Sequence, residues 1–357
     1  MQISQFYKGK KVLITGHSGF KGVWLTQILL NFGADVIGIS LEPNTNPSLF
    51  EVLNIKNKVK NYFVDIRNIE ELRKIFLNEK PEIVFHLAAQ PIVRIAYDDP
   101  IGTISTNVVG TANILEVIKE VKCVKSAIVI TTDKVYENKE WHYAYRENDA
   151  LGGYDPYSAS KAAADIITNS YIQSFFNPKD SGVKHNTLVA ITRAGNVIGG
   201  GDWAEYRLIP DMIKSIYHNE KDLEIRNPEA IRPWQHVLEP LSGYLMLGKE
   251  LYENKTILSG AWNFGPNNES FVSVKELVEG GHKILGKGSY KIIPDNSKHE
   301  AGNLKLEINK AISLLGWKSK LNFNETLTLT FDWYKNYYEK TEDVVDFTNK
   351  QINSFFK

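Results

Sequence analysis

The stretch TTDKVY (131–136) sets hydroxyls, a carboxyl and an amine side by side, directly after the apolar run SAIVI. Such a run reads as a buried strand, and ligands and chemistry collect at strand ends along one edge of an α/β sheet. Thr132, Asp133 and Lys134 in that position point to proton transfer. The competing reading is an Asp133–Lys134 surface ion pair. Further on, YSASK supplies Tyr157 and Lys161 at i and i+4, on one face of a helix. A neighbouring ammonium favours phenolate over phenol and is expected to lower the Tyr157 pKa. A phenol so tuned can take a proton from a sugar hydroxyl as hydride leaves the carbon. The same spacing also arises as a surface pair, so the elements that carry these residues have to decide.

Those elements alternate. Strands are expected at 11–15, 35–39, 61–65, 82–88, 126–131 and 187–193, and helices at 20–32, 68–79, 101–121 and 157–176. Strands alternating with helices imply crossovers and a parallel sheet covered on both faces. After Arg193 the periodicity fades into RAGNVIGGGDWAEYRLIP, rich in glycine and polar residues. The fold class is α/β: a Rossmann-type, doubly wound parallel sheet with a smaller, discontinuous C-terminal part. Residues 1–193 are expected to form the dinucleotide-binding domain, with a return strand near 261–266. Residues 194–357 are expected to supply most of the substrate domain, ending from about 340 in either a terminal helix or a loose segment.

GHSGFKG spaces Gly16, Gly19 and Gly22 as G-x-x-G-x-x-G between the first strand and the first helix. The glycines allow a tight turn and a close approach of backbone to a pyrophosphate, which the helix N-terminus attracts. His17, Phe20 and Lys21 share this loop and are assigned to the cofactor with it; His17 and Lys21 crowd a turn where smaller residues would suffice. Asp65 and Ile66, after the third strand, are placed to bond and sandwich an adenine, Asp65 serving equally well as a helix cap. Ala88 and Ala89, small residues at a strand end, let a cofactor pass close, and Gln90 follows them. No Lys or Arg occurs in 33–55, so a 2′-phosphate lacks a local partner and NAD is favoured over NADP. Glu42 is the nearest acid to the tip of the second strand, and is either a ribose ligand or a loop residue.

Composition excludes several classes. Lys plus Arg and Asp plus Glu balance at 42 each across 357 residues, so no overall field would draw nucleic acid or an acidic membrane. One cysteine, Cys123, leaves no internal disulfide and no cysteine-rich metal site. No metal is expected. The N-terminus lacks a signal-peptide core, and no run approaches the roughly 20 apolar residues of a membrane span. A cytoplasmic protein is expected.

GHSGFKG, TTDK and YSASK together resemble the extended short-chain dehydrogenase/reductase family over nearly the whole chain. The resemblance implies a Rossmann core, a nucleotide-sugar domain and a Ser/Thr–Tyr–Lys set. Thr132 is then the hydroxyl partner, with Thr131 as the alternative; Tyr157 is the base and Lys161 its electrostatic helper. The family's 4,6-dehydratases carry Thr-Asp-Glu at the strand end, where this sequence has Lys134. That departure is similar to the cytidine diphosphate branch, which acts on CDP-glucose, and so are QPIVRIAYDDP, NVIGGGDWA and RPWQHVLEP. The resemblance implies that Asp133 protonates the departing C6 hydroxyl while Lys134 takes the C5 proton. Other readings are a 4,6-dehydratase of another nucleotide sugar such as a GDP-heptose, an epimerase, or an NAD-binding sensor.

A nucleoside diphosphate needs cationic partners. Arg232 is the first choice, since guanidinium binds phosphate oxygens in a bidentate way. Arg193 and Arg207 are further candidates, and Asn196 resembles a position that holds the substrate's phosphate or base. Trp203, Trp234 and His236 pack either on the substrate or in the core. Arg94 contacts substrate, cofactor or a neighbouring subunit. Helices 101–121 and 157–176 either pair with a second subunit, as the family implies for a dimer or tetramer, or pack internally.

Overall fold

The computed structural model describes residues 3–218, 222–267, 270–293 and 304–357. Its main sheet holds β1 (Lys11–Thr15), β2 (Asp35–Ser40), β3 (Lys60–Phe63), β4 (Ile83–His86), β5 (Ser126–Ile130), β6 (Leu188–Ala194) and β7 (Gly260–Phe264). The spatial order is β7-β6-β5-β4-β1-β2-β3, and every neighbouring pair is parallel. From β1 the chain winds outward to β3, then crosses back to lay β4 on the other side of β1. That reversal opens a crevice beyond the carboxyl ends of β1 and β4, where ligands bind in this architecture.

The longer helices are α1 (Phe20–Asn31), α2 (Ile69–Glu79), α3 (Pro100–Val121), α4 (Pro156–Ser174), α5 (Leu208–Tyr217), α6 (Leu238–Tyr252), α7 (Val274–Leu285), α8 (Phe323–Glu339) and α9 (Val344–Phe356). Side chains of a strand alternate between its faces, so β1 sends Val12 and Ile14 one way and Leu13 the other. The first set packs with Trp24 and Ile28 of α1 and Leu241 and Leu245 of α6. The second packs with Leu72 and Phe76 of α2, Ile114 and Leu115 of α3 and Ile172 of α4. Strands buried on both faces need apolar residues at both phases, which is why they read as continuous runs.

Helix α3 corrects an expectation. By length and composition it could cross a bilayer. In this fold it lies along the sheet instead, with Ile114, Leu115, Val117 and Ile118 buried. Its course is interrupted by a π turn at Ser105–Val109.

The C-terminal half is tied back to the first. Trp333 of α8 fills the space beside Gly200, where an added Cβ would lie 2.0 Å from its ring. The Tyr334 hydroxyl donates to the Asp202 carbonyl at 2.6 Å and accepts from the Asp202 N–H at 2.9 Å. Residues beyond 340 form α9, and Gln27 and Asn31 of α1 both donate to the Asn349 side chain at 2.9 Å.

Candidate active site

The glycine loop divides its labour. Gly16 has φ +77°, and a Cβ there would come within 2.7 Å of the Ala88 nitrogen. At Gly22 a Cβ would sit 2.0 Å from the Gly16 carbonyl oxygen. Both positions serve close packing of loop, helix and β4. Gly19 is the N-cap of α1 and no side chain bonds across that helix end. The start of α1 is thereby left to whatever anion enters the crevice, and a pyrophosphate fits its N–H groups and dipole.

His17 does not follow its assignment. Its ring is wholly buried and its Nε2 bonds the Asn61 side chain at 2.6 Å. Gly38 makes the room, since a Cβ there would strike the ring at 2.2 Å. The side chain therefore props β2 and β3 from a wholly buried position. Lys21 lies in the first turn of α1. Burial and the charge of Arg207 push its pKa down to about 8, against the pull of Asp133. Its ammonium thus belongs to the same charged group as the strand-end acid.

Asp65 bonds Arg67 through both oxygens, at 2.6 to 3.0 Å. It does not cap α2; the Asn68 side chain does, accepting from Glu71 N–H. Ile66 is buried over Gly110. Glu42 is exposed. Ala88 and Ala89 are half-buried at the crevice. The Gln90 side chain is spent on α3 and its own loop, donating to Thr103 and accepting from Ile92 N–H.

At the end of β5 the two threonines separate. Thr131 donates to the Thr192 carbonyl at 3.1 Å and to Asp165 at 3.3 Å, facing β6 and α4. Thr132 opens a short helical turn, Asp133–Val135, and its hydroxyl donates to Asp133 Oδ1 at 2.9 Å. The Thr132 hydroxyl is also the hydrogen-bonding neighbour of the Tyr157 phenol. Asp133 is buried, and burial raises its carboxyl pKa against the charges of Lys134 and Lys21. Gly195 leaves it room: a Cβ there would lie 3.0 Å from Oδ2. Lys134 is half-buried beside it.

Tyr157 comes from the first turn of α4. Asp155 caps that helix by accepting from Ser158 N–H at 3.0 Å, and Pro156 opens it, which fixes where the phenol starts. The expected lowering of its pKa is not what the environment gives. Burial pushes Tyr157 up to about 12, opposed by Thr132 and Arg207. The Lys161 ammonium is turned to the end of β5, donating to the Ile130 carbonyl at 2.7 Å, with its own pKa brought down to about 8 by burial. The two share a helix face as the spacing predicts, but desolvation dominates at Tyr157 and the groups opposing it are Thr132 and Arg207.

Two residues assigned to the substrate lie elsewhere. Arg193 is 3% exposed and forms a fork with Asp165, Nε–Oδ2 and Nη2–Oδ1 both at 2.8 Å; its Nη1 donates to Tyr136 and the Glu147 carbonyl. With those donors committed in the core, it cannot serve a diphosphate. His236 is wholly buried against Trp24 and has no surface to offer. Trp203 and Trp234 are core residues, Trp203 packing on Trp333 and Tyr337. Arg207 does reach the mouth: it pairs with Asp202 at 2.8 Å, and its charge acts on Tyr157 and Lys21. Asn196 and Arg232 are half-buried on the C-terminal side. Arg94 stacks over the Tyr206 ring, 4.9 Å from its centre.

Asp165 escaped sequence reasoning, although it stands at i+4 from Lys161 and so on the face that Tyr157 had already marked. His86 escaped too; its signal was an imidazole inside the otherwise apolar strand EIVFHLA.

Residues 13–330 match the family model described as GDP-mannose 4,6 dehydratase. The chain is 45% identical over 351 residues to a CDP-glucose 4,6-dehydratase of Salmonella typhimurium, covering 98% of this chain and 97% of that one. It is 26% identical to a dTDP-D-glucose 4,6-dehydratase of Dictyostelium discoideum, covering 92% and 82%. Among solved structures, a dTDP-glucose 4,6-dehydratase from Streptomyces venezuelae, determined with NAD bound, superposes with a TM-score of 0.77 at 22% identity, covering 94% of this chain and 99% of that one.

Proposed function

The chain belongs to the GDP-mannose 4,6 dehydratase family, and we infer from that membership and from its site that it is an NAD-dependent CDP-glucose 4,6-dehydratase, a hydro-lyase. The product is the 4-keto-6-deoxy sugar. The observation that carries the reading is the buried Asp133 carboxyl, bonded by Thr132 and flanked by Lys134 and Tyr157, at the crevice beyond β5. Oxidation and re-reduction alone would not need a second acid there.

The glycine loop, Ala88, Ala89 and Asp65 would hold NAD, which when bound supplies the redox half by accepting hydride from C4 and returning it at C6. Tyr157 takes the C4 hydroxyl proton. Its high resting pKa supports a base that works only with an acidifying neighbour, a part that falls to Lys161. The new ketone acidifies the C5 hydrogen, which Lys134, in its neutral amine form, removes as a proton. Asp133, whose carboxyl pKa burial raises, gives a proton to the C6 hydroxyl, which departs as water. Lys134 then returns its proton to C5, and the proton that Tyr157 took from the C4 hydroxyl passes on to Asp133, so that all three groups are reset and one water has left. Arg207, Arg232 and Asn196 are assigned to the nucleoside diphosphate, with Arg94 at the rim. Outward-facing Ile101, Ile104 and Val109 of α3 and Ile166 of α4 are exposed together, which supports a homo-oligomer built on these helices.

The test is incubation with CDP-glucose and NAD in heavy water. Loss of one water by mass spectrometry, with deuterium at C5, is expected. An isomer of unchanged mass would instead identify an epimerase.

A further inference from the structure

Beneath the cofactor crevice runs a buried chain of hydrogen bonds that the reaction itself does not use. Thr111 Oγ1 donates its one proton to the Asn107 carbonyl at 2.7 Å. It can therefore only accept from His86 Nε2, 2.9 Å away, so that nitrogen carries the hydrogen. His86 Nδ1 is then an acceptor, and Thr15 Oγ1 donates to it at 2.7 Å. The same Thr15 oxygen accepts from Ala88 N–H at 3.1 Å. Every donor and acceptor is used once, in one direction. His86 is 2% exposed, Thr15 is wholly buried and Thr111 is 2% exposed, so no water competes.

Both ends of this chain grip the crevice. One end is Ala88, where the cofactor is expected to pass. The other is the π turn at Ser105–Val109 that carries Asn107, a helical irregularity frequent at functional sites. The Asn107 side chain accepts from Gln90 N–H at 2.8 Å and donates to the Gln90 carbonyl at 3.1 Å. It also donates to Ser160 Oγ at 2.8 Å, and Ser160 donates to the Tyr157 carbonyl at 2.7 Å. One imidazole thus sits between the two ends of the 88–90 loop and the helix bearing the phenol.

We propose that His86, fixed as the neutral Nε2–H tautomer, is the positioning residue that sets the 88–90 floor of the cofactor crevice and, through Asn107 and Ser160, the seat of Tyr157. This rests on the NAD-dependent reading above. An imidazolium would aim a second N–H at Thr15 and break the direction of the chain; burial and the charge of Lys161 hold the ring neutral, its pKa pushed down to about 3.

The experiment is nitrogen NMR of histidine-labelled enzyme with NAD bound, His86→Gln identifying the resonances, alongside NAD binding and steady-state kinetics. A neutral His86 protonated at Nε2 is expected. Thr111→Val should change that signature and weaken NAD binding about tenfold, the cost of one orphaned buried donor, with the KM for nucleotide sugar little changed. Thr111→Ser should restore both. Should Thr111→Val fail to fold, Thr15→Val and Thr15→Ser test the opposite end in the same way. An Nδ1–H ring, or wild-type NAD affinity in folded Thr111→Val or Thr15→Val, overturns the proposal. Wild-type protein that shows the Nε2–H ring and holds NAD yet leaves CDP-glucose unchanged supports the positioning role and instead sinks the dehydratase reading.

Discussion

Asp133 and Asp165 are both buried carboxyls attached to the end of β5, the second through Thr131. Their surroundings are opposite. Asp165 is met by a guanidinium in a two-pronged fork, and neither partner is more than 3% exposed. Asp133 receives a threonine hydroxyl and the more distant charges of two lysines, and burial raises its pKa. A matched charge in the interior is architecture, because removing either member strands the other. A carboxyl buried without such a match holds a proton more tightly, because burial penalises its charged form. The same contrast separates Arg193, wholly committed, from Arg207, which keeps part of its charge for the mouth.

Variants can break this contrast. Tyr157→Phe should cut single-turnover reduction of the cofactor by about 10³-fold, read by absorbance, while the melting temperature barely moves. Arg193→Met should do the reverse in kind, costing about 3–5 kcal/mol of stability in denaturant titration. Converting Asp165 to Leu in the same chain should recover much of that loss, which a catalytic role for the pair would not predict. Lys134→Ala should retain oxidation at C4 and lose elimination by about 10²-fold, seen as reduced cofactor that persists and as missing deuterium at C5.

The smallest expected effect sharpens the rule at a third carboxyl. Glu239 is 1% exposed; its Oε1 accepts from the N–H groups of Lys320 and Leu321, and burial lifts its pKa to about 7. A raised pKa means its stability contribution is full below about 4.5 and is lost as pH climbs through about 7. Glu239→Gln keeps the acceptor and should flatten that fall by on the order of 1 kcal/mol, measured as melting temperature against pH.

Much of this was legible in the sequence because it is written in spacing. The glycine triad, the strand-end acid and the Tyr157–Lys161 step are local patterns, and local geometry fixed where they go. What misled was direction. Arg193 and His236 have the right chemistry for a substrate, but their strand positions point into the core, and a residue type does not announce its face. Likewise His17 sits in the cofactor loop by number and props β2 by orientation, because Gly38 of that neighbouring strand leaves it room. The Tyr157 shift failed for a related reason: i+4 spacing predicts an ammonium nearby, whereas the depth of burial depends on segments far along the chain.

The clasp between Asp202 and Tyr334 has a consequence for how the protein is made. Translation delivers the glycine loop and the first six parallel strands long before Tyr334 leaves the ribosome. The segment carrying Arg207 lacks that clasp during the interval and is held to the first half by contacts such as the Trp24 indole on the Gly200 carbonyl, so a nascent chain can assemble its main sheet before the C-terminal helices lock this segment in place.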